Sequence, residues 1–224
     1  MLDLDNTLAD RQAAVTAWMT EFCSTYDLPP NAGEWILELD NDGYSDRREV
    51  FQAIRDRYRL ASPVNDLLEA YQTRVVQLAA PIPGAVDCLR AMRGLGWTPA
   101  LVTNGSSRQQ HAKIDTLGFR DLVAAVVVSG DLGIKKPAPE IFHRAAELTG
   151  APLAGAWMVG DSAIHDIEGG RAVGVNTAWV TRGRPWPDDL PAPTVQISSL
   201  TELIARIDPA RRDQSAAADL RWWP

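Results

Sequence analysis

The chain has 224 residues, 46% of them hydrophobic, enough for one large core or for a core with an insertion. With 22 Lys and Arg against 29 Asp and Glu, its net charge of -7 and pI near 5.0 argue against a protein that grips the phosphate backbone of nucleic acid. Two distant cysteines, Cys23 and Cys88, make neither a disulfide framework nor a zinc site, and with no bilayer-length apolar run and no secretory leader the expectation is a cytoplasmic chain with no membrane partner.

The chain opens Met1-Leu2-Asp3-Leu4-Asp5-Asn6-Thr7-Leu8. If Leu2 to Leu4 end a strand, Asp3 and Asp5 sit two positions apart and project toward one point. Paired carboxylates there divide labour: one attacks an electrophile, the other moves a proton, and together they hold a divalent cation through oxygen. Taken alone, Asp-x-Asp is as common in turns and surface strands. From about residue 10 to 80 the pattern is helical, over 10–27, 32–40, 46–59 and 63–79, broken at Leu28-Pro29-Pro30, Asn41-Asp42-Gly43-Tyr44 and Ala61-Ser62-Pro63. Val15, Trp18, Met19, Phe22 and Cys23 recur at helical spacing, as do Val50, Ile54 and Tyr58, which reads as core packing.

From Pro83 the signal alternates: helix 85–95, strand 98–103, helix 107–117, strand 122–129, helix 140–149, strand 156–159, helix 166–173, strand 177–180. Alternation of this kind implies a parallel sheet covered by helices on both faces, with ligands at the carboxyl ends of its strands. Three segments at such ends carry polar chemistry. Leu101-Val102-Thr103-Asn104-Gly105-Ser106 offers a hydroxyl and backbone N–H groups to an anion. Lys136 stands before Pro137 and Pro139, which suit the opening of a helix. Gly160-Asp161-Ser162-Ala163-Ile164-His165-Asp166 follows an apolar strand and brings two more carboxylates.

These four segments, in order from Asp3 to Asp166, resemble the four motifs of the haloacid dehalogenase (HAD) superfamily: Asp-x-Asp-x-Thr, a Thr or Ser after a strand, a Lys before Pro, and Gly-Asp-x-x-x-x-Asp. The resemblance covers about the first two hundred residues. It implies an α/β fold, a Rossmann-like parallel sheet with helices on both faces, plus an inserted four-helix cap domain. On that reading 1–9 and 81–207 form the core, 10–80 the cap and 208–224 a C-terminal tail. It further implies Mg²⁺-dependent hydrolysis of a small phosphorylated metabolite through an aspartyl-phosphate. Asp3 would be the nucleophile and Asp5 the acid and base. Thr103, Asn104, Gly105 and Lys136 would hold the phosphoryl group, with Thr103 and Lys136 also catalytic. Asp3, Asp5 through its carbonyl, Asp161 and Asp166 would surround the metal, Asp166 through water or by anchoring Lys136.

A 2-haloacid dehalogenase or a phosphomutase of the same superfamily is the alternative. The family's dehalogenases generally lack an acid at the second position, so Asp5 favours the phosphatase. His111, His143 and His165 are expected at the surface. Asp10 either faces substrate or caps a helix, and 41–48 is either a substrate-reaching loop or a solvated turn capped by Ser45 and Asp46. Only Met1 and Leu2 precede Asp3, so a start upstream of Met1 is expected, with a frayed central strand and a catalytically impaired protein if there is none.

Overall fold

The computed structural model describes residues 1–208, so the expected tail lies, from residue 209 on, outside the described residues. The chain divides into two compact units, residues 10–80 and residues 1–9 with 81–224.

The helical unit comprises α1 (Arg11–Thr25), α2 (Ala32–Asp40), α3 (Arg47–Tyr58) and α4 (Val64–Gln77). Asp10 caps α1, its carboxylate accepting from Ala13 N–H at 2.9 Å. Asp46 caps α3, accepting from the N–H groups of Arg48 and Glu49 at 2.9 and 3.1 Å. Each cap satisfies donors that a helix start leaves open. The four helices bury one apolar cluster built on Trp18, Phe22, Ile36, Phe51, Ile54, Leu67, Tyr71 and Val75. Trp18 meets Tyr71 and Phe51 edge-on, with ring centroids 4.7 and 5.7 Å apart, a geometry that satisfies the ring quadrupoles. Asp40 is buried in this unit. Arg11 donates to both its oxygens at 2.9 and 2.8 Å, Arg47 pairs with it as well, and Arg11 also lies 3.7 Å from Asp42.

The other unit carries β1 (Ala100–Thr103), β2 (Ala125–Val128), β3 (Trp157–Gly160), β4 (Asn176–Val180) and β5 (Val195–Ile197), all in parallel register where they pair. The N-terminal residues join the pairs β2–β1 and β3–β4–β5 into one sheet. Leu2 bridges both Leu101 and Val159. Leu2 N–H donates to Ala100 at 2.8 Å, Val102 N–H to Leu2 at 2.9 Å, Asp3 N–H to Val159 at 2.9 Å and Val159 N–H to Met1 at 3.0 Å. The frayed central strand expected from the short lead before Asp3 is therefore not what the structure shows: a single dipeptide step is paired on both sides. The α-ammonium donates to Trp157 O at 2.7 Å rather than approaching Asp3.

Side chains alternate across the sheet. Leu2, Leu101, Trp157, Val159, Ala178 and Val180 face a cluster completed by α5 (Ala85–Gly94), α6 (Ser107–Thr116) and α10 (Leu200–Ile207). Ala100, Val102, Val127 and Met158 face the opposite cluster, with Ile141, Phe142 and Ala145 of α8 (Pro139–Thr149). Two short helices, α7 (Ser129–Leu132) and α9 (Gly169–Ala172), sit in the connections. The strands read as continuous apolar runs because both faces are covered. Sequence reading left β5 and α10 unassigned. Residues 163–168 form a turn of π-helix before α9 rather than part of one regular helix from 166.

Candidate active site

Three of the four motif segments stand at the carboxyl edge of this sheet, and Lys136 reaches them from the connection between α7 and α8. Asp3 follows the paired Leu2, Thr103 closes β1, and Asp161 follows Gly160, the last residue of β3. The turn after Asp5 folds back on itself, with Leu8 and Ala9 N–H donating to Leu4 O at 2.9 and 2.8 Å and Asn6 at φ 60°. That turn fixes Asp3 and Asp5 relative to each other.

Lys136 lies at the centre. Its Nζ is 2.6 Å from Asp3 Oδ1 and 2.7 Å from Asp166 Oδ1, and its side chain is buried. Burial works to lower the ammonium's proton affinity, but Asp166 and Asp3 overcome it, so Lys136 is held above its ordinary value and stays charged. Asn104 sets its backbone: the side-chain amide donates to Lys136 O at 3.0 Å and accepts from Lys136 N–H at 2.9 Å. Asp166 Oδ2 accepts from Ser162 N–H at 3.0 Å. A Cβ on Gly160 would stand 2.2 Å from that same oxygen, so only glycine lets Asp166 lie against the end of β3.

Asp3, Asp161 and Asp166, all buried, each offer an oxygen, and these atoms lie within 4.8 Å of one another, the one such cluster among the described residues. Burial first, then the charge of Asp3, pushes Asp161 up to about 6, against Arg182 and Arg184, which pull it down. Asp166 is raised as well, by burial and by Asp3 and Asp161 against the pull of Lys136. Acids crowded at this level call for a further cation. The all-oxygen donor set suits Mg²⁺ over a softer ion.

Thr103 Oγ1 accepts from Gln110 Nε2 at 2.7 Å. Gly105 departs from the expectation of a phosphoryl donor: its N–H donates to Ser129 Oγ at 3.0 Å. The Asn104 side chain is turned to Lys136, which bears on neither its backbone N–H nor the phosphoryl role expected of it. His165, expected at the surface, is half-buried and bonded through Nδ1 to Ser162 Oγ at 3.0 Å. Burial, then Lys136 and Lys135, lower its proton affinity.

Four residues escaped sequence reading. Lys113 Nζ lies 2.7 and 2.6 Å from the two carboxylate oxygens of Asp5, and Gln110 Nε2 lies 3.1 Å from one of them. Arg182 and Arg184, just past β4, reach Asp161 Oδ2 at 2.8 and 3.1 Å. A usable signal existed for the first two. Gln110 and Lys113 share a helix face with Ile114 and Leu117, and polar residues on an apolar stripe are candidates for a site.

Comparison with known proteins agrees with this geometry. The haloacid dehalogenase-like hydrolase family matches residues 1–180. Pyrimidine 5'-nucleotidase YjjG of Escherichia coli is 37% identical over 147 residues, 65% of this chain and 64% of that protein. A phosphoserine phosphatase of Thermus thermophilus is 35% identical over 122 residues, 54% of this chain and 49% of that one. The matches thus span about half to two thirds of these relatives' length. Among solved structures, the HAD-hydrolase YfnB of Bacillus subtilis bound to magnesium superposes with a TM-score of 0.76 at 24% identity, covering 92% of this chain and 96% of the other. L-2-haloacid dehalogenase of Xanthobacter autotrophicus superposes with 0.70 at 20% identity, covering 93% and 97%. At such identities the likeness is one of fold. The family match takes in Asp3, Thr103, Lys136, Asp161 and Asp166 together, and this chain belongs to the haloacid dehalogenase-like hydrolases.

Proposed function

We propose that the chain is a Mg²⁺-dependent phosphatase of small phosphate monoesters that works through an aspartyl-phosphate on Asp3. The observation that carries the reading is the pair Asp3 and Asp5 at one strand end, with Lys136 Nζ 2.6 Å from Asp3 Oδ1. Asp3 is the nucleophile. An anion attacking an anionic ester needs compensation, and the buried Lys136 ammonium supplies part of it. Thr103 Oγ1 and the backbone at Asn104 stand at the end of β1, where a phosphoryl oxygen of the ester would sit. Asp5 gives a proton to the leaving alkoxide and then takes one from the water that hydrolyses the intermediate. Asp3, Asp161 and the Asp5 carbonyl would hold Mg²⁺, with Asp166 fixing Lys136; the ion, when bound, offsets phosphoryl charge and orients the ester.

Asp5 also separates this reading from carbon–halogen hydrolysis, since a halide leaves without a proton. The two named sequence relatives are a nucleotidase and a phosphoserine phosphatase, which supports the same class. Cys88 is a buried thiol pushed up to about 12 by burial, and among the described residues no helix is long and apolar enough to cross a membrane. The test is a panel of phosphorylated metabolites and p-nitrophenyl phosphate, with Mg²⁺ and with excess chelator, and 2-chloropropionate as control. Phosphate release that chelator stops is expected. Chloride release without phosphatase activity would overturn the assignment.

A further inference from the structure

We infer that Lys113 and Gln110 are positioning residues for Asp5, holding its carboxylate as the acceptor that draws a proton from the attacking water; this rests on the phosphatase reading above. Both side chains come from α6, a rigid element, whereas Asp5 lies in a turn. Lys113 is 6% exposed and Gln110 1%, so an ammonium and an amide have been taken out of water at the expense of their solvation. A surface helix gains nothing from that unless the groups are used inside. Lys113 Nζ spans both oxygens of Asp5, at 2.7 and 2.6 Å. Gln110 Nε2 reaches Asp5 Oδ2 at 3.1 Å, Thr103 Oγ1 at 2.7 Å and Asn104 O at 3.2 Å. One amide thus ties Asp5 to the end of β1. Gly105 (φ 148°) leaves room for Gln110 to pack in this place, since a Cβ there would meet the Gln110 Cγ at 2.7 Å.

These contacts to Asp5 are donated to it, and donors complement the lone pairs of an ionised carboxylate, the form a base requires. In the step concerned, the water oxygen bonds to phosphorus as the bond from phosphorus to Asp3 Oδ breaks. One water proton passes to Asp5, Asp3 returns as carboxylate and phosphate departs. The proton then on Asp5 is the one given to the next leaving alkoxide. A carboxylate misplaced by about 1 Å can lose on the order of 10²-fold in rate, which is the scale on which two fixed donors matter.

The experiment uses p-nitrophenyl phosphate with Mg²⁺ and five proteins: wild type, Lys113→Met, Lys113→Arg, Asp5→Ala and the double variant Asp5→Ala/Lys113→Met. Nitrophenolate leaves with little need of a proton, so the water step is the one exposed. Lys113→Met should lower kcat roughly 10- to 100-fold with KM nearly unchanged, and a burst of nitrophenolate equal to the enzyme should precede the slow phase. Lys113→Arg should recover most of the loss. In the Asp5→Ala background the Lys113 change should cost nothing further, because the group it positions is gone. An unchanged kcat, a loss without a burst, or an equal loss with and without Asp5 would each overturn the inference. If Lys113→Met does not fold, Lys113→Arg and the double variant against Asp5→Ala, neither of which leaves Asp5 facing an uncharged partner, decide it. A wild type that hydrolyses no phosphate ester fails the phosphatase reading and takes this inference with it, whereas an active wild type with additive losses fails this inference alone.

Discussion

Two clusters of charge, one in each unit, differ in how deeply their acids are buried and how closely they are crowded. In the helical unit Asp40 and Asp42 face Arg11 and Arg47, so two acids meet two guanidiniums. At the sheet's carboxyl edge Lys136 serves two acids at once, and Asp161 adds a third whose oxygen lies within 4.8 Å of theirs. Even with Arg182 and Arg184 beside it, Asp161 is pushed up to about 6 by burial and by Asp3. Both clusters set as many cations as acids against each other, but only the second crowds three buried carboxylates together, and acids raised by burial and by one another are more frequent at functional sites than in scaffolding.

The largest effect that would sharpen this contrast is at Asp3, the proposed nucleophile. Asp3→Asn should abolish turnover of p-nitrophenyl phosphate while leaving the melting temperature equal or higher, because an amide cannot form the acyl-phosphate and one crowded charge is removed. Next come the partners of the two clusters. Lys136→Met leaves buried acids without their cation and should destabilise the protein by about 3–5 kcal/mol in denaturant titrations, whereas Asp40→Ala leaves two partly exposed arginines without their acid and should cost less. Calorimetric Mg²⁺ titration separates them, since Asp40→Ala should leave the affinity unchanged. Equal changes in Mg²⁺ affinity for both would erase the distinction drawn between the clusters.

A smaller effect follows from Asp161. Its folded value, about 6, lies above the unfolded value of 3.8, so the folded chain binds this proton more tightly. Between those values the unfolded state carries fewer protons than the native one, and this group's contribution to stability falls as pH rises through the window. A bound cation offsets that loss. The rise in melting temperature given by Mg²⁺ should therefore be larger at about pH 7.5 than at about pH 5. A rise independent of pH would place the ion elsewhere. The smallest effect is local to the helical unit: Asp46→Ala removes the cap of α3 and should cost about 1 kcal/mol without touching turnover chemistry.

The candidate strand ends were legible in the sequence where an apolar run meets a polar stop, because both halves of that signal are local. Thr103, Asp161 and Asp166 could be found in this way, whereas Asp3, with two residues before it, and Lys136, well past the end of β2, were legible only through the motif resemblance. Lys113 and Gln110 were not legible, since Ser107 to Thr116 is polar nearly throughout and the one signal there, their helical spacing with Ile114 and Leu117, is thin until Ile114 is placed beneath the sheet. Arg182 and Arg184 were missed because a loop after a fourth strand carries no motif, and only the folded chain brings it to Asp161. β5, three residues long, has too few side chains to show a period. The expectation of a frayed start failed for a related reason: hydrogen bonds from two neighbours fix Leu2, and neighbours are not a property of the segment itself.

That dipeptide step has a kinetic consequence. The pairs β2–β1 and β3–β4–β5 each connect strands through a single intervening crossover, but the segment that joins them carries a contact between residues 156 positions apart, Met1 and Trp157. Contacts so distant in sequence close late, after nearer ones have repaid their loop entropy. The half-sheets can thus assemble first and leave a slot one strand wide, which the N-terminal residues enter as a wedge. Asp3 takes its position only once β3 stands beside it, so the carboxyl edge on which the proposed chemistry depends is the last part of the sheet to be completed.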